Sequence, residues 1–257
     1  MKMKKGFMKL AALSLAAVMS LGLAGCGGAA DDNKLVMGTN AAFEPFEFTT
    51  TDGLVGEFDG IDVAIALEIA NSMDKELVIE DMEFEGLLAS VQTGKIDMAV
   101  AGMTIKPERL ESVDFSIPYY TATQVIVVGA DNTDITSAAD LTTNKKVGVV
   151  LGYTGDSIVT DDLKVAEENI TRANRGVDVI QDVKNGKLDA VVIDSYTGKA
   201  LAEKNGLKVI EDAAAFEAEE YAIAVAKGNT ELLDSINKVL EEMLANGKIE
   251  EIAQKYN

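Results

Sequence analysis

The chain has 257 residues with 43 acidic and 23 basic side chains, a formal net charge of −20, and no histidine. Phosphate binding needs a basic face, so this acidity argues against nucleic acid as a partner. The lack of histidine excludes a Ser–His–Asp triad and any histidine-ligated metal site, and we expect no metal and no cofactor. At this length we expect one large domain or two modest ones.

Residues 1–25 predict a lipoprotein signal peptide. Four lysines within the first nine residues precede an apolar stretch at 10–23, which is too short for an ordinary membrane span. The stretch ends Leu23-Ala24-Gly25-Cys26, which resembles a bacterial lipobox, where the cysteine is diacylated and becomes the mature N-terminus. The alternative is a plain secretory signal with an incidental cysteine. Residues 26–33 then predict a short tether on the outer face of the cytoplasmic membrane.

Beyond the tether, short apolar runs alternate with helical periods. Strands are predicted at 35–38, 77–79 and 96–101. Helices are predicted after Asp62, which can cap the first of them, and over 86–93. This βαβα order predicts an α/β fold with a largely parallel sheet, and such sheets bind ligands at the carboxyl ends of their strands.

The loop after the strand at 96–101 has the residues of a small anion site. Gly102 allows a ligand to approach the backbone, and Thr104 adds a hydroxyl and an amide. Pro107 suits the first turn of a short helix, on which Arg109 offers a planar fork that matches a carboxylate. The alternative is a loop in which Thr104 caps a turn and Arg109 is solvated.

An internal repeat indicates two lobes. Residues 91–102 (VQTGKIDMAVAG) match residues 183–194 (VKNGKLDAVVID), and in both a helix ends at glycine before a Gly-Lys-apolar-Asp turn into a strand. The match sets Asp194 opposite Gly102. We predict lobe 1 over 34–120 and 220–257 and lobe 2 over 121–219. Two crossings, near 119–123 and 217–221, would form a hinge.

The second lobe has a candidate anion loop of its own after a strand at 147–150. Gly152-Tyr153-Thr154-Gly155-Asp156 opens a helical stretch whose amides could meet an anion, although the glycine spacing is not a dinucleotide fingerprint. Asp156 could equally be a helix cap. Later elements are a helix at 196–205, strands at 208–210 and 221–226, and an amphipathic helix at 230–245.

Six motifs spread along the chain carry a family resemblance. They are Asn40-Ala-Ala-Phe43-Glu-Pro45-Phe46, Gly60-Ile-Asp62-Val, Asp81-Met-Glu-Phe84, Ala101-Gly102-Met-Thr104 with Arg109, Val113-Asp-Phe-Ser116 with Pro118-Tyr-Tyr120, and Val192-Ile-Asp194. The chain resembles the bacterial extracellular solute-binding proteins that deliver polar amino acids to ABC importers (solute-binding protein family 3). The resemblance extends from about 35 to 256. It implies the periplasmic-binding-protein type II fold, with two α/β lobes joined by a two-stranded hinge.

The resemblance also implies a site for a free L-amino acid. Arg109, aided by Thr104, would hold the α-carboxylate, and Asp194 would hold the α-ammonium. The other implied ligand contacts are the amides of Thr154 and Gly155 on the carboxylate, the Gly102 carbonyl on the ammonium, Phe43 and Phe84 around the side chain, and Asn40 and Leu151 beside it.

Side-chain specificity cannot be taken over from the family. Asn40, Leu151 and Ile193 stand where relatives often carry polar or charged residues. We therefore predict a ligand with an uncharged or weakly polar side chain. Glu44, Asp59 or Tyr153 could also reach the pocket.

The expected function is capture of a free L-amino acid by lobe closure, followed by docking on the membrane permease of an ABC importer. We expect a monomer that performs no bond chemistry. One alternative is a small-molecule dehydratase on the same fold, with Glu44 as a buried general acid. Another is an amino-acid sensor whose closed form signals to a receptor.

Overall fold

A computed structural model describes residues 33–256, so the predicted signal peptide and Cys26 lie outside the described residues. The strands are β1 (Lys34–Thr39), β2 (Ala42–Phe43), β3 (Glu47–Thr49), β4 (Phe58–Asp59), β5 (Glu76–Asp81), β6 (Met98–Ala99), β7 (Val113–Phe115), β8 (Tyr120–Ala122), β9 (Gln124–Val128), β10 (Val147–Val150), β11 (Ile170–Ala173), β12 (Ala190–Asp194), β13 (Lys208–Ile210), β14 (Glu219–Tyr221) and β15 (Ala224–Ala226). The helices are α1 (Ile61–Ser72), α2 (Leu87–Gln92), α3 (Pro107–Leu110), α4 (Thr154–Ser157), α5 (Gly176–Lys184), α6 (Ser195–Asn205), α7 (Thr230–Ala245) and α8 (Lys248–Ala253).

The first sheet has the strand order β5-β1-β6-β15-β7. Strand β1 pairs in parallel with both β5 and β6, and β15 pairs antiparallel to β6 and β7. Helix α1 buries Val63, Ala66, Ile69 and Ala70, which recur with the period of a helix face. The small strands β2, β3 and β4 form a separate three-stranded sheet.

The second sheet has the strand order β11-β10-β12-β9-β13. Strand β10 is parallel to β11 and β12, whereas β9 is antiparallel to β12 and β13. Every residue of β9, β10 and β12 is buried, as expected for strands covered on both faces.

Each sheet is mixed but largely parallel, as predicted: in each, all strands run in one direction except β15 in the first sheet and β9 in the second. The antiparallel members, β9 and β15, follow directly after the two crossings between the sheets, so each enters its sheet from the opposite end. The single buried strand predicted at 221–226 is divided into β14 and β15, because its first residue pairs in the crossing and its last three pair in the first sheet.

A two-stranded ribbon joins the sheets. Strands β8 and β14 pair antiparallel, with Tyr120 opposite Tyr221 and Ala122 opposite Glu219. These are the crossings that the sequence predicted near 119–123 and 217–221.

The internal repeat is present in the structure. Gly94 and Gly186, which follow α2 and α5, both adopt left-handed backbone, with φ of 70° and 69°. Asp97 then accepts a hydrogen bond from the Val36 N–H at 2.7 Å, and Asp189 accepts one from the Lys146 N–H at 2.7 Å. Each aspartate ties its strand to the neighbouring strand, which explains why the Gly-Lys-apolar-Asp pattern occurs twice.

Within residues 33–256, no helix has the length and apolar character needed to cross a membrane.

Candidate functional site

A small, largely closed cavity lies between the carboxyl ends of β6 and β12. Its lining residues are Phe43, Phe84, Ala101, Gly102, Arg109, Tyr153, Thr154 and Asp194. Six of the predicted ligand-binding residues are among them, and they come from both sheets. This is the topological position at which α/β sheets bind ligands.

Arg109 brings a buried cation to this cavity. It lies on α3, which begins at Pro107, and only 7% of the residue is exposed. Its Nη1 donates to the Thr104 carbonyl at 2.7 Å and its Nη2 to the Gly152 carbonyl at 3.0 Å. The Arg109 Cζ atom is 5.3 Å from the centre of the Phe84 ring, within the range of a cation–π contact. Burial lowers the pKa of Arg109 from its ordinary value, but a guanidinium remains charged in proteins.

Asp194 brings a buried acid to the opposite wall. It is the last residue of β12, and the Tyr221 hydroxyl donates to its Oδ1. Burial, followed by the nearby charge of Glu219, raises the pKa of Asp194 to about 7. An unpaired carboxylate is costly in this position, so a cation arriving beside Asp194 would be held strongly.

The backbone at Gly102 is shaped for close approach. Its φ is 51°, and a Cβ atom at this position would lie 2.6 Å from Phe43 Cε1. The Gly102 N–H donates to Asp62 Oδ2 at 2.7 Å. The prediction that Asp62 caps α1 was therefore wrong: Gly60 is the N-cap, and the Asp62 side chain points beneath the loop.

The two threonines meet across the site. Thr154 Oγ1 donates to Thr104 Oγ1 at 3.1 Å, and Thr104 Oγ1 donates to Glu219 Oε2 at 2.7 Å. Thr104 is buried beside the cavity but does not line it. Gly155 also lies outside the lining, where it allows α4 to pack on β12: a Cβ atom there would lie 2.6 Å from the Val192 carbonyl oxygen.

Tyr153 contacts both predicted side-chain aromatics. Its ring centre lies 5.4 Å from that of Phe43 and 4.6 Å from that of Phe84, edge to face in both pairs. Its hydroxyl donates to Asn40 Oδ1 at 2.9 Å, and Asn40 Nδ2 donates to the Met82 carbonyl at 2.9 Å. Asn40 thus supports the aromatic wall through Tyr153 and is not itself part of the lining.

Two residues behind the specificity prediction lie elsewhere. Leu151 is half-buried outside the lining, with its N–H on the Ala173 carbonyl at 2.9 Å. The Ile193 side chain packs against Gly176 and Gly198, on the helices behind the second sheet. Successive strand residues face opposite sides, so the position that turns Asp194 to the cavity turns Ile193 away.

The predicted additional acids also stay outside the lining. Glu44 has a side chain that is 43% exposed and that pairs with Lys204 Nζ at 2.5 Å. Asp59 accepts a hydrogen bond from the Tyr256 hydroxyl at 2.5 Å. Glu44 therefore lacks the burial that the dehydratase alternative requires of a general acid.

Sequence reasoning missed several residues that shape the site. Ala101 lines the cavity, Tyr221 and Glu219 contact the predicted ligand groups, and Glu47 is buried behind the Gly102 loop. The pairing of β8 with β14 brings Tyr221 and Glu219 there, and no local pattern reports such a pairing. Asp156, left open as a cap or an anion-loop residue, pairs with Arg172 Nε at 2.8 Å. Among the described residues, no acidic or cysteine cluster could hold a metal ion.

Comparison with known proteins decides the family. Residues 35–257 match the family described as bacterial extracellular solute-binding proteins, family 3. The chain belongs to this family. It is 35% identical over 260 residues to the arginine-binding extracellular protein ArtP of Bacillus subtilis (strain 168), which covers 99% of this chain and 98% of that protein.

Solved structures of amino-acid-binding proteins have the same fold. An ancestral arginine-binding protein bound to glutamine matches with a TM-score of 0.80 and 39% identity, covering 87% of this chain and 97% of that one. An ancestral arginine-binding protein bound to arginine matches with a TM-score of 0.79 at 39% identity, over 87% and 98% of the two chains. The predicted type II fold is confirmed.

The family match and the relatives also show the general role of this protein. This solute-binding protein is an extracytoplasmic amino-acid-binding component of an ABC transporter. It is not an enzyme, since the relatives are binding proteins.

Proposed function

We propose that this protein captures a free L-amino acid by closing lobe 1 (34–120 and 220–257) on lobe 2 (121–219), and then docks on the permease of its importer. The observation that carries the proposal is the cavity with one buried cation, Arg109, on one side and one buried acid, Asp194, on the other. A zwitterionic amino acid needs one fixed partner for each of its charges.

In this proposal Arg109 takes the ligand α-carboxylate and Asp194 takes the α-ammonium. Arg109 Nη1 and Nη2 donate to two backbone carbonyls, and a carboxylate would replace these neutral acceptors with a charged one in bidentate geometry. The Thr104 and Thr154 hydroxyls and the amides of Thr154 and Gly155 would complete the carboxylate site. The Gly102 carbonyl would share the ammonium with Asp194.

The ligand side chain would lie against Phe43, Phe84 and Tyr153. Rings at these positions favour a planar or cationic group, because aromatic faces attract cations. The relatives named for arginine point in the same direction. We therefore take L-arginine as the leading ligand and glutamine as the second, because an ancestral arginine-binding protein has been solved with glutamine. None of the three residues behind the prediction of an uncharged side chain, Asn40, Leu151 and Ile193, lines the cavity.

Contacts between the proposed lobes support closure as the mode of capture. Thr197 Oγ1 donates to the Glu44 carbonyl at 2.8 Å, Lys204 pairs with Glu44, and Tyr153 donates to Asn40. The cavity has room for no more than about one water molecule, far below the roughly 300–1,000 Å³ of typical ligand sites, so a ligand would need these contacts to open.

A thermal-shift screen against the common amino acids tests the proposal. A ligand at 100 times its Kd adds about 2.7 kcal/mol to the free energy of unfolding, which gives a clear rise in Tm. We expect arginine to produce it. No shift with any amino acid would reject the proposed function, and a shift with neutral amino acids alone would restore the sequence-based specificity prediction.

The tether is a further part of the proposal. Cleavage before Cys26 and its diacylation would hold the protein at the outer face of the cytoplasmic membrane, through the lipid bilayer and beside its permease. Cys26→Ser should release the protein from the membrane fraction or block its processing. Native wild-type protein found without lipid and free of membranes would contradict this.

A further inference from the structure

Two carboxyl groups lie buried behind the Gly102 loop, where the proposed ligand does not reach. Glu47 begins β3 and Asp62 lies in the first turn of α1, and both residues are 0% exposed. They belong to the Pro45–Glu47 and Gly60–Asp62 segments, whose role the ligand site does not explain. The two residues leave adjacent backbone, because the Asp62 N–H donates to the carbonyl of Phe46, the residue before Glu47, at 2.9 Å.

Asp62 uses its carboxylate to join two functional segments. Its Oδ2 accepts the Gly102 N–H at 2.7 Å, and both of its oxygens lie 2.8 Å from the Tyr119 hydroxyl. Gly102 belongs to the proposed ligand loop, and Tyr119 directly precedes β8 of the ribbon. Hydrogen bonds from these two donors stabilise the ionised form of the Asp62 carboxyl group.

Glu47, unlike Asp62, lies where its carboxyl group meets no hydrogen-bond donor among the described residues, and neither of its carboxyl oxygens has a hydrogen-bond partner there. The charged side chains that act on it most strongly are all acidic: Asp62, Asp194 and Asp81. A charge on Glu47 also acts on the phenols of Tyr119 and Tyr153, whose pKa values burial raises first and that charge raises further. Burial, followed by the Asp62 charge, raises the pKa of Glu47 well above its ordinary value.

We propose that Glu47 is a neutral carboxylic acid that donates its proton to Asp62, and that this pair positions Gly102 for the ligand ammonium. The shared proton removes the repulsion between two adjacent buried carboxylates and gives the Glu47 hydroxyl its acceptor. With its oxygens held on three donors, Asp62 fixes the peptide plane that precedes the Gly102 carbonyl. Glu47 is thus a positioning residue, and its effect on affinity rests on the proposed function.

Infrared spectroscopy tests the protonation without any ligand. The C=O stretch of a protonated carboxyl lies apart from carboxylate bands, and at about pH 8 exposed acids are ionised. We would record ligand-free protein carrying Asp194→Asn, because burial raises the pKa of Asp194 to about 7, close to that pH, and the pKa of Asp62 only to about 6. Adding Glu47→Gln should remove a protonated-carboxyl band, whereas adding Glu57→Gln, an exposed glutamate on the same segment, should leave it. A Glu47→Gln difference spectrum without that band would overturn the proposal.

Ligand binding tests the positioning role. Glu47→Gln retains an N–H donor for Asp62 and should bind within about threefold of wild type. Glu47→Leu removes the donor at similar volume and should weaken binding roughly tenfold or more. Equal affinity of Glu47→Leu and wild type would overturn the positioning role. If Glu47→Leu does not fold, a Glu47→Gln variant that loses more than tenfold in affinity would overturn it instead.

The two proposals fail separately. If the wild type binds no amino acid but the infrared band disappears in Glu47→Gln, the proposed function is wrong and the shared proton stands. If the wild type binds an amino acid and the band is absent from the start, the shared proton is wrong and the proposed function stands.

Discussion

The charges of the site are held by groups that a ligand can displace. Arg109 donates to two carbonyls, and Asp194 accepts from the Tyr221 hydroxyl, so neither buried charge is left without a partner. A neutral partner attracts a buried charge less strongly than an oppositely charged partner does. An amino acid would therefore exchange neutral contacts for charged ones at both ends, which is the physical basis for expecting tight binding at this position.

Removing either charge should abolish measurable binding. Arg109→Ala or Asp194→Asn leaves one ligand charge buried without a partner, which costs roughly 2–5 kcal/mol, or about 30- to 4,000-fold in affinity. Arg109→Lys should also bind poorly, because a point charge cannot replace the bidentate fork. Isothermal calorimetry measures these values. A variant within threefold of wild type would remove that residue from the proposed site.

Ligand affinity should depend on pH through Asp194. Its pKa is raised to about 7 in the ligand-free structure, and the ligand ammonium requires the carboxylate. Affinity should therefore fall below about pH 7, by up to roughly tenfold per pH unit, and binding should release a proton there. Calorimetry in buffers of different ionisation enthalpy counts that proton. Constant affinity from about pH 5.5 to 8 would contradict the assignment.

The raised pKa of Asp194 has the opposite effect on stability: ligand affinity should rise with pH, whereas the free energy of unfolding of the ligand-free protein should fall. Between the ordinary pKa of 3.8 and about 7, the folded protein binds more protons at Asp194 than the unfolded chain does. The Asp194 contribution to the free energy of unfolding should therefore decrease as pH rises through this interval. In melting curves without ligand, the Tm of Asp194→Asn minus the Tm of wild type should increase from about pH 4 to pH 7. A constant difference in Tm would contradict this.

At the scale of elements, α4 depends on a residue without a side chain. Gly155 allows this short helix to lie against the Val192 carbonyl of β12, and that contact places Thr154 at the cavity. The position of a ligand-facing element is therefore set by a packing distance behind it.

Gly155→Ala should displace α4. A Cβ atom 2.6 Å from a carbonyl oxygen forces a backbone shift, and such overpacking costs about 1–3 kcal/mol. We expect a lower Tm and at least roughly tenfold weaker ligand binding. Gly129→Ala is the matched control, because a Cβ atom there meets nothing within 4 Å. Equal behaviour of the two variants would show that α4 does not depend on this contact.

At the scale of the molecule, the ribbon of β8 and β14 is where the chain crosses between the proposed lobes. Few residues separate the two sheets at this point, so small changes in φ and ψ can rotate one sheet relative to the other. The residues proposed to hold the ligand come from both sides of this ribbon. Binding and closure should therefore be one event.

Small-angle scattering should show compaction at saturating ligand. The ligand-free protein should sample an open form with a larger radius of gyration than the liganded form. Arg109→Ala is the control, since it keeps the hinge but removes a ligand contact, and it should not compact at the same ligand concentration. Identical scattering of wild type with and without ligand would refute closure.

The sequence by itself determined the features that local patterns encode. Apolar periodicity placed β1 and β5 to within two residues and α7 at its observed bounds. The repeated Gly-Lys-apolar-Asp turn marked two equivalent units. It also pointed to Gly102 and Asp194 at the ends of equivalent strands, and to Arg109 on the short helix that follows Gly102. These signals depend on the order of neighbouring residues, which the sequence contains in full.

Only the tertiary structure decided which of these residues meet. Tyr153 lies against Phe43 and Phe84, and Tyr221 reaches Asp194, through contacts between segments more than 25 residues apart. Asp62 was predicted to cap α1, but its side chain accepts a hydrogen bond from the Gly102 N–H. The Ile193 side chain points away from the cavity, because strand register and sheet pairing set the direction of a side chain. Burial then raised the pKa of Asp194, and burial is a property of the assembled fold alone.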